Sequence, residues 1–220
     1  MNITKKELGR YFDHSLLKPF YTHGDIIKGC EYALKSNCTT VCVNPNRVKM
    51  AFDILKGSNT EVCSVVGFPL GTHSAMIKAK EAEEAYKNGA TELDTVIDLG
   101  ALRSGRYDVV SEDISSVVKA SPAIVKVILE TCYLTTDEIA LASKICEESG
   151  AHYIMTSTGF GSAGAMLEDI AIIKESVSEK MKIKAAGGIS TLDDALAFIN
   201  AGCSRIGVSK TREIMSELDV

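Results

Sequence analysis

Short apolar runs rich in β-branched residues alternate along the chain with longer stretches in which apolar positions recur at helical spacing. The runs cover 13–17, 39–43, 61–67, 92–98, 124–130, 153–157, 182–186 and 205–208, eight in all. Between them, 25–35 sets Ile26, Ile27, Cys30, Ala33 and Leu34 on one face, and 74–88 sets Ala75, Ile77, Ala79, Ala82 and Ala85 toward one side. Both patterns predict amphipathic helices. Three helical stretches stop alike, at Asn88-Gly89-Ala90, Ser149-Gly150-Ala151 and Ala201-Gly202-Cys203, each with a strand run close behind. Glycine just past a helix enters the left-handed region without a Cβ penalty, so these triplets read as stop signals.

Strands that alternate with helices pair in parallel through right-handed crossovers, which leaves an open doubly wound sheet or a closed barrel. Eight units in this length predict an α/β fold of the closed kind, a (β/α)8 TIM barrel. The first run and the residues that follow it, Asp13-His-Ser-Leu-Leu-Lys-Pro19, are not glycine-rich, so the dinucleotide-binding fingerprint is absent.

Composition narrows the class. With 220 residues, 45% hydrophobic and 24% charged, the chain can bury one sizeable core, and residues 1–220 are expected to form a single domain. Lys and Arg total 24 against 29 Asp and Glu, a net charge of −5, and no basic run exceeds Lys5-Lys6. A nucleic acid partner is therefore not expected. No apolar stretch has the length of a signal peptide or membrane span, so the expectation is a cytoplasmic protein without a membrane partner. The seven cysteines are odd in number and form no CxxC, which suits reduced thiols used as small core residues. The four histidines lack metal-ligand spacing, so no metal and no cofactor are expected.

In such a barrel, chemistry sits at the C-terminal ends of the strands. Glu92, Asp94 and Asp98 have even spacing, which predicts that all three point to one side of the fourth strand. An ionised carboxylate inside a packed barrel needs a partner, so Asp94 should face a cation or a solvated cleft. A structural ion pair would satisfy it equally. Lys184 lies in the seventh strand just before Gly187-Gly188, where an inward amine would be placed for carbonyl chemistry; an outward, snorkelling lysine is the alternative. Gly187-Gly188 and Gly207-Val-Ser209-Lys210 offer backbone N–H groups, a hydroxyl and an ammonium suited to a phosphate, and Gly159 with Gly161 adds a third loop of this type. Cys42 reads as a small residue lining the pocket, since no histidine is placed by sequence to activate it.

Taken together, Asp13-His-Ser-Leu-Leu-Lys-Pro19, Val41-Cys-Val-Asn-Pro45, Val66-Gly-Phe-Pro-Leu-Gly71, Gly89-Ala-Thr-Glu-Leu-Asp94, Lys126-Val-Ile-Leu-Glu-Thr131, Thr156-Ser-Thr-Gly-Phe160, Lys184-Ala-Ala-Gly-Gly-Ile189 and Arg205-Ile-Gly207 resemble the deoxyribose-phosphate aldolase family, nearly end to end and in order. The resemblance implies a class I aldolase that reversibly cleaves 2-deoxyribose 5-phosphate to glyceraldehyde 3-phosphate and acetaldehyde, and a homo-oligomer, dimer or tetramer. It implies Asp94 and Lys184 as proton-moving residues and places the Schiff base lysine of the sixth strand at Met155, whose thioether cannot form an imine. Asp13, Ser15, Cys42, Thr156 and Thr158 are the substrate-binding candidates. Gly159, Gly187, Gly188, Gly207, Ser209 and Lys210 are the phosphate-binding ones. Four readings remain open at this level: a selected or engineered loss of the imine lysine, transfer of the imine to Lys184, imine-free acid–base chemistry by Asp94 and Lys184 on another phosphorylated carbonyl compound, and a non-catalytic sugar-phosphate-binding barrel.

Overall fold

The computed structural model describes residues 3–219. Eight strands, β1 (Phe12–Leu16), β2 (Thr40–Val43), β3 (Glu61–Val66), β4 (Glu92–Val96), β5 (Ile124–Ile128), β6 (Tyr153–Met155), β7 (Lys182–Ala186) and β8 (Arg205–Val208), pair in parallel in chain order and form a closed barrel. Closure sets Phe12 of β1 opposite Ile206 of β8, and Asp13 opposite Gly207. The predicted (β/α)8 architecture is the observed one.

Several strands end before their apolar runs do. β4 stops at Val96, and Asp98 instead caps the helix Leu99–Arg103, its carboxylate accepting the Ala101 N–H at 2.9 Å. An aspartate can satisfy an orphan helix N–H there, and this local bond competes with sheet extension. The expected single-sided trio is therefore reduced to Glu92 and Asp94. Beyond β5, Glu130 takes a left-handed conformation at φ 52°, which ends that strand run.

The helices His23–Lys35 and Ala75–Lys87 form where the periodicity places them, the first with a capping box between Thr22 and Asp25. Ile27 and Ile77 of the expected faces are nevertheless exposed, and Lys78 is buried instead, paired with Asp113. Gly89 and Gly202 both stand at φ 108° and Gly150 at φ 86°. At Gly89 a Cβ would also lie 2.4 Å from the Phe52 ring, so packing as well as backbone requires glycine.

The outward strand positions, among them Phe12, Val41, Leu93, Val127, Ile154 and Ile183, are buried against helix residues such as Ile26, Ile114, Ile139 and Ile170 in one continuous apolar layer. All seven thiols are free, and burial pushes those of Cys30 and Cys203 up to about 12, as inert core groups. Among the described residues, no helix is long and apolar enough to cross a membrane.

Candidate active site

Period-two alternation that sends apolar residues outward sends the intervening residues into the bore. Six of these are charged: Asp13 on β1, Glu92 and Asp94 on β4, Lys126 on β5, Lys184 on β7 and Arg205 on β8, all buried. The Lys184 ammonium lies 2.6 Å from Asp13 and 2.6 Å from Asp94. Lys126 reaches Glu92 at 2.6 Å, Asp94 at 2.8 Å and Asp13 at 3.6 Å. Arg205 donates to Asp13 at 2.6 Å and grips both oxygens of Glu92 at 3.1 Å. Three acids thus face three bases, and the cluster is formally neutral. That balance is what allows it to be buried, because one unmatched charge here would cost several kcal/mol, on the order of 3–5.

The network fixes its own protonation. Burial disfavours the charged form of Lys184, yet Asp13 and Asp94 outweigh it and hold the ammonium above its ordinary range. Burial acts the same way on Lys126, where Asp94 leads the opposing charges and the pKa stands well above normal. For Asp94, burial is again outweighed, here by Lys126 and Lys184, and the carboxyl is held below the usual range. An ammonium held this way has no lone pair with which to attack a carbonyl, which speaks against transfer of the imine to Lys184.

Above the network, at the C-terminal mouth of the barrel, lies a cavity of about 130 Å³. Its lining includes Ser15, Cys42, Asp94, Met155, Thr158, Gly159, Gly187, Gly188, Gly207 and Ser209. Asp94 is the network member that opens into it. Met155 sits across from Lys184 in the β6–β7 register and packs with Val96, Ile128, Ala186 and Phe68, so one wall of the cleft is apolar. Gly207 makes room below: a Cβ there would lie 2.8 Å from the Ala186 Cβ and 3.1 Å from the Lys184 Cε.

Not every candidate reaches the cleft. Asp13 lies beneath its floor with Lys184, bound to Lys184, Arg205 and the Thr40 hydroxyl. Thr156 is fully buried, its hydroxyl donating to the Ala186 carbonyl at 3.0 Å and accepting the Ala186 N–H at 3.1 Å, a tie between β6 and β7. Lys210 is exposed ahead of the helix Thr211–Ser216 and does not line the cavity.

Sequence reasoning gave Lys126 no role, although a lysine between Val125 and Val127 carries the same signal that singled out Lys184. Arg205 at the start of β8 was likewise passed over. Glu130 is the third omission. Its buried carboxylate accepts the Thr158 N–H at 3.2 Å and the Thr158 hydroxyl, which fixes the loop that carries Gly159 and Phe160. Burial raises its pKa, and the Thr158 bonds oppose the shift.

Among the described residues, Cys42, Cys63 and Asp94 bring ligand atoms within 4.8 Å of one another, a spacing that a cation could bridge. Both Asp94 oxygens already accept from ammonium groups, and burial holds the Cys63 thiol protonated. These groups do not fit a divalent ion without breaking the ion-pair network.

A family model described as DeoC/LacD family aldolase matches residues 9–217. The chain belongs to this family. Within it, a deoxyribose-phosphate aldolase of Clostridium kluyveri is 46% identical over 215 residues, 97% of this chain and 99% of that one. Among solved structures, the aldolase QR15 is 41% identical with a TM-score of 0.92, the match covering 96% of each chain. The tetrameric deoxyribose phosphate aldolase of Aeropyrum pernix is 28% identical with a TM-score of 0.91, covering 98% of this chain and 92% of that one. The family's closed barrel is the fold described above.

Proposed function

We propose that the chain is a lyase of the deoxyribose-phosphate aldolase type, which takes 2-deoxyribose 5-phosphate into the cleft and cleaves it reversibly to glyceraldehyde 3-phosphate and acetaldehyde. The observation that carries this reading is the opening of Asp94 into the cleft between the glycine turns of β7 and β8 and the apolar wall at Met155. The phosphate lies against the backbone N–H groups of Gly159, Gly187, Gly188 and Gly207 with the Ser209 hydroxyl, and Lys210 supplies charge from the rim. Ser15, Cys42 and Thr158 contact the sugar carbons and hydroxyls. In keeping with the Aeropyrum pernix relative, we read the protein as a homo-oligomer.

Aldol cleavage needs a base for the hydroxyl proton beside the breaking bond and an electron sink at the carbonyl. Asp94 is the base. The Lys184 ammonium 2.6 Å behind it supplies a positive field that polarises the carbonyl and stabilises the enolate oxygen. Because those same cations depress the Asp94 pKa, the base is weak and the chemistry slow. Met155 stands where the resemblance puts the imine lysine, and a thioether offers no covalent route around the barrier.

The decisive experiment is Met155→Lys assayed for 2-deoxyribose 5-phosphate cleavage. We expect a rise of at least about tenfold, roughly 1.4 kcal/mol of barrier. Borohydride with acetaldehyde should then add mass at residue 155 in the variant and nowhere in the parent chain. No gain and no adduct would overturn the proposal. The engagement of both bore amines, Lys126 and Lys184, favours one other reading, binding without turnover. Calorimetry that shows tight 2-deoxyribose 5-phosphate binding by a parent chain with no measurable cleavage selects it.

A further inference from the structure

Beside the cleft opens a second groove of about 380 Å³ that shares Leu17, Lys18, Tyr21, Phe68 and Phe160 with it. Past that common wall its polar lining comes from the segment after β2: Asn44, Asn46 and Arg47. Among the described residues, no carboxylate lines it. Facing this acid-free lining are two cations, the exposed Lys18 and the half-buried Arg47, and neither has an acidic partner among the described residues. The Lys18 ammonium rests 5.7 Å from the centroid of the Phe160 ring, and Phe160 meets Phe68 edge-on at 5.4 Å, so the cation stands at the boundary between the two spaces. Asn44 is anchored by donating to the Leu17 carbonyl at 3.3 Å, which ties the β2 segment to the chain after β1.

A guanidinium fork with an ammonium and carboxamide donors, in a concave site free of acids, matches a phosphate or carboxylate. We propose that this groove is a second anion subsite continuous with the catalytic cleft, so that the site accepts ligands with an anionic group at each end. One end lies at the glycine turns of β7 and β8 and the other at Arg47 and Lys18. This rests on the phosphate placement given under the proposed function. It extends the substrate class from a sugar monophosphate to open-chain carbonyl compounds with a second phosphate or carboxylate.

The test uses α,ω-alkanediol bisphosphates of graded chain length and the matching alkyl monophosphates, titrated calorimetrically at low salt. At the best length we expect one bisphosphate per chain, bound about tenfold or more tightly than its monophosphate, because the second contact becomes intramolecular. Arg47→Met should abolish that advantage while leaving the monophosphate affinity and the thermal midpoint unchanged. The subsite is overturned if no length gains over the monophosphate, if the gain survives an Arg47→Met/Lys18→Met double variant, or if two bisphosphates bind per chain. 2-Deoxyribose 5-phosphate titrated in parallel separates the two proposals. If it fails to bind while inorganic phosphate binds in an Arg47-dependent way, the proposed function falls and the second subsite stands. If it binds while Arg47→Met changes no titration, the second subsite alone falls.

Discussion

Two buried regions of this barrel are made by the same strands and obey opposite rules. Between strands and helices the packing is continuous and almost wholly apolar, from Phe12 and Val41 through Ile154 to Ile206, with one buried ion pair, Lys78 with Asp113 at 2.5 Å. Inside the bore, one residue away on each strand, six ionised groups satisfy one another. The outer layer gains free energy from each group separately, by removing apolar surface from water. The inner cluster is tolerated only as a set, because each charge is paired by at least two others. Stability is distributed in the first region and mutually dependent in the second.

The largest effect that would break this contrast lies at Lys126. Lys126→Met leaves Glu92 and Asp94 short of a cation, and we expect a loss of about 3–5 kcal/mol in urea unfolding, with part of it recovered when Glu92→Gln is added. A loss below about 1 kcal/mol, or two costs that simply add, would mean that the bore charges are not interdependent. In the outer layer, Ile154→Ala should cost about 3 kcal/mol, within the 2–5 typical of such truncations, and should add to other outer-layer truncations made at a distance.

A pH series sharpens the comparison, because a buried imidazole also sits in the outer layer. His14 is buried with Nδ1 2.8 Å from the Thr211 hydroxyl, and burial pushes its pKa down to about 4. The unfolded imidazole, with a pKa near 6.5, binds a proton that the folded one refuses. Stability therefore falls as pH drops from about 6.5 to about 4, by roughly 3 kcal/mol in all. The bore behaves differently. Asp13 and Asp94 are depressed by the neighbouring lysines against the opposing effect of burial, so their contribution is complete above about pH 4 and is lost as pH falls through their folded values. Lys184, raised by Asp13 and Asp94 against burial, contributes fully below about pH 10 and loses that contribution as pH rises through its folded value. Urea midpoints measured from pH 7 to 4.5 should decline in the parent chain and flatten in His14→Gln; an unchanged slope would show that the decline does not come from His14. The smallest effect is at Lys182, exposed at the base of the barrel with its ammonium 5.5 Å from the Tyr153 ring centroid. Lys182→Ala should leave the urea midpoint unmoved, in contrast to Lys184 two residues on.

Much of this was legible before any coordinates. The eight alternating units and the glycine stops follow from periodicity and position, while Lys184 was left between an inward and an outward placement. The misreadings have local causes. Asp98 was assigned to the same side as Asp94 because period two was extended past a strand end that a helix cap imposes. Thr156 looked like a ligand residue but spends its hydroxyl on Ala186, a contact 30 residues away in sequence. Lys126 carried a usable signal, a lysine in an otherwise apolar strand, and only its partners reveal its place.

Sequence alone determined which residues share a face within a strand, because alternation is a property of neighbouring positions, but not where each strand ends, as Asp98 shows. It also fixed the chemical inventory of the mouth, including the thioether at 155. The tertiary structure decided which face turns inward and which charges meet: Arg205 and Asp13 lie 192 residues apart and touch at 2.6 Å because β8 closes on β1. It also set the charge states, since the protonation of Lys126, Lys184 and Asp94 depends on desolvation and on partners that barrel closure brings together, and no local pattern encodes either.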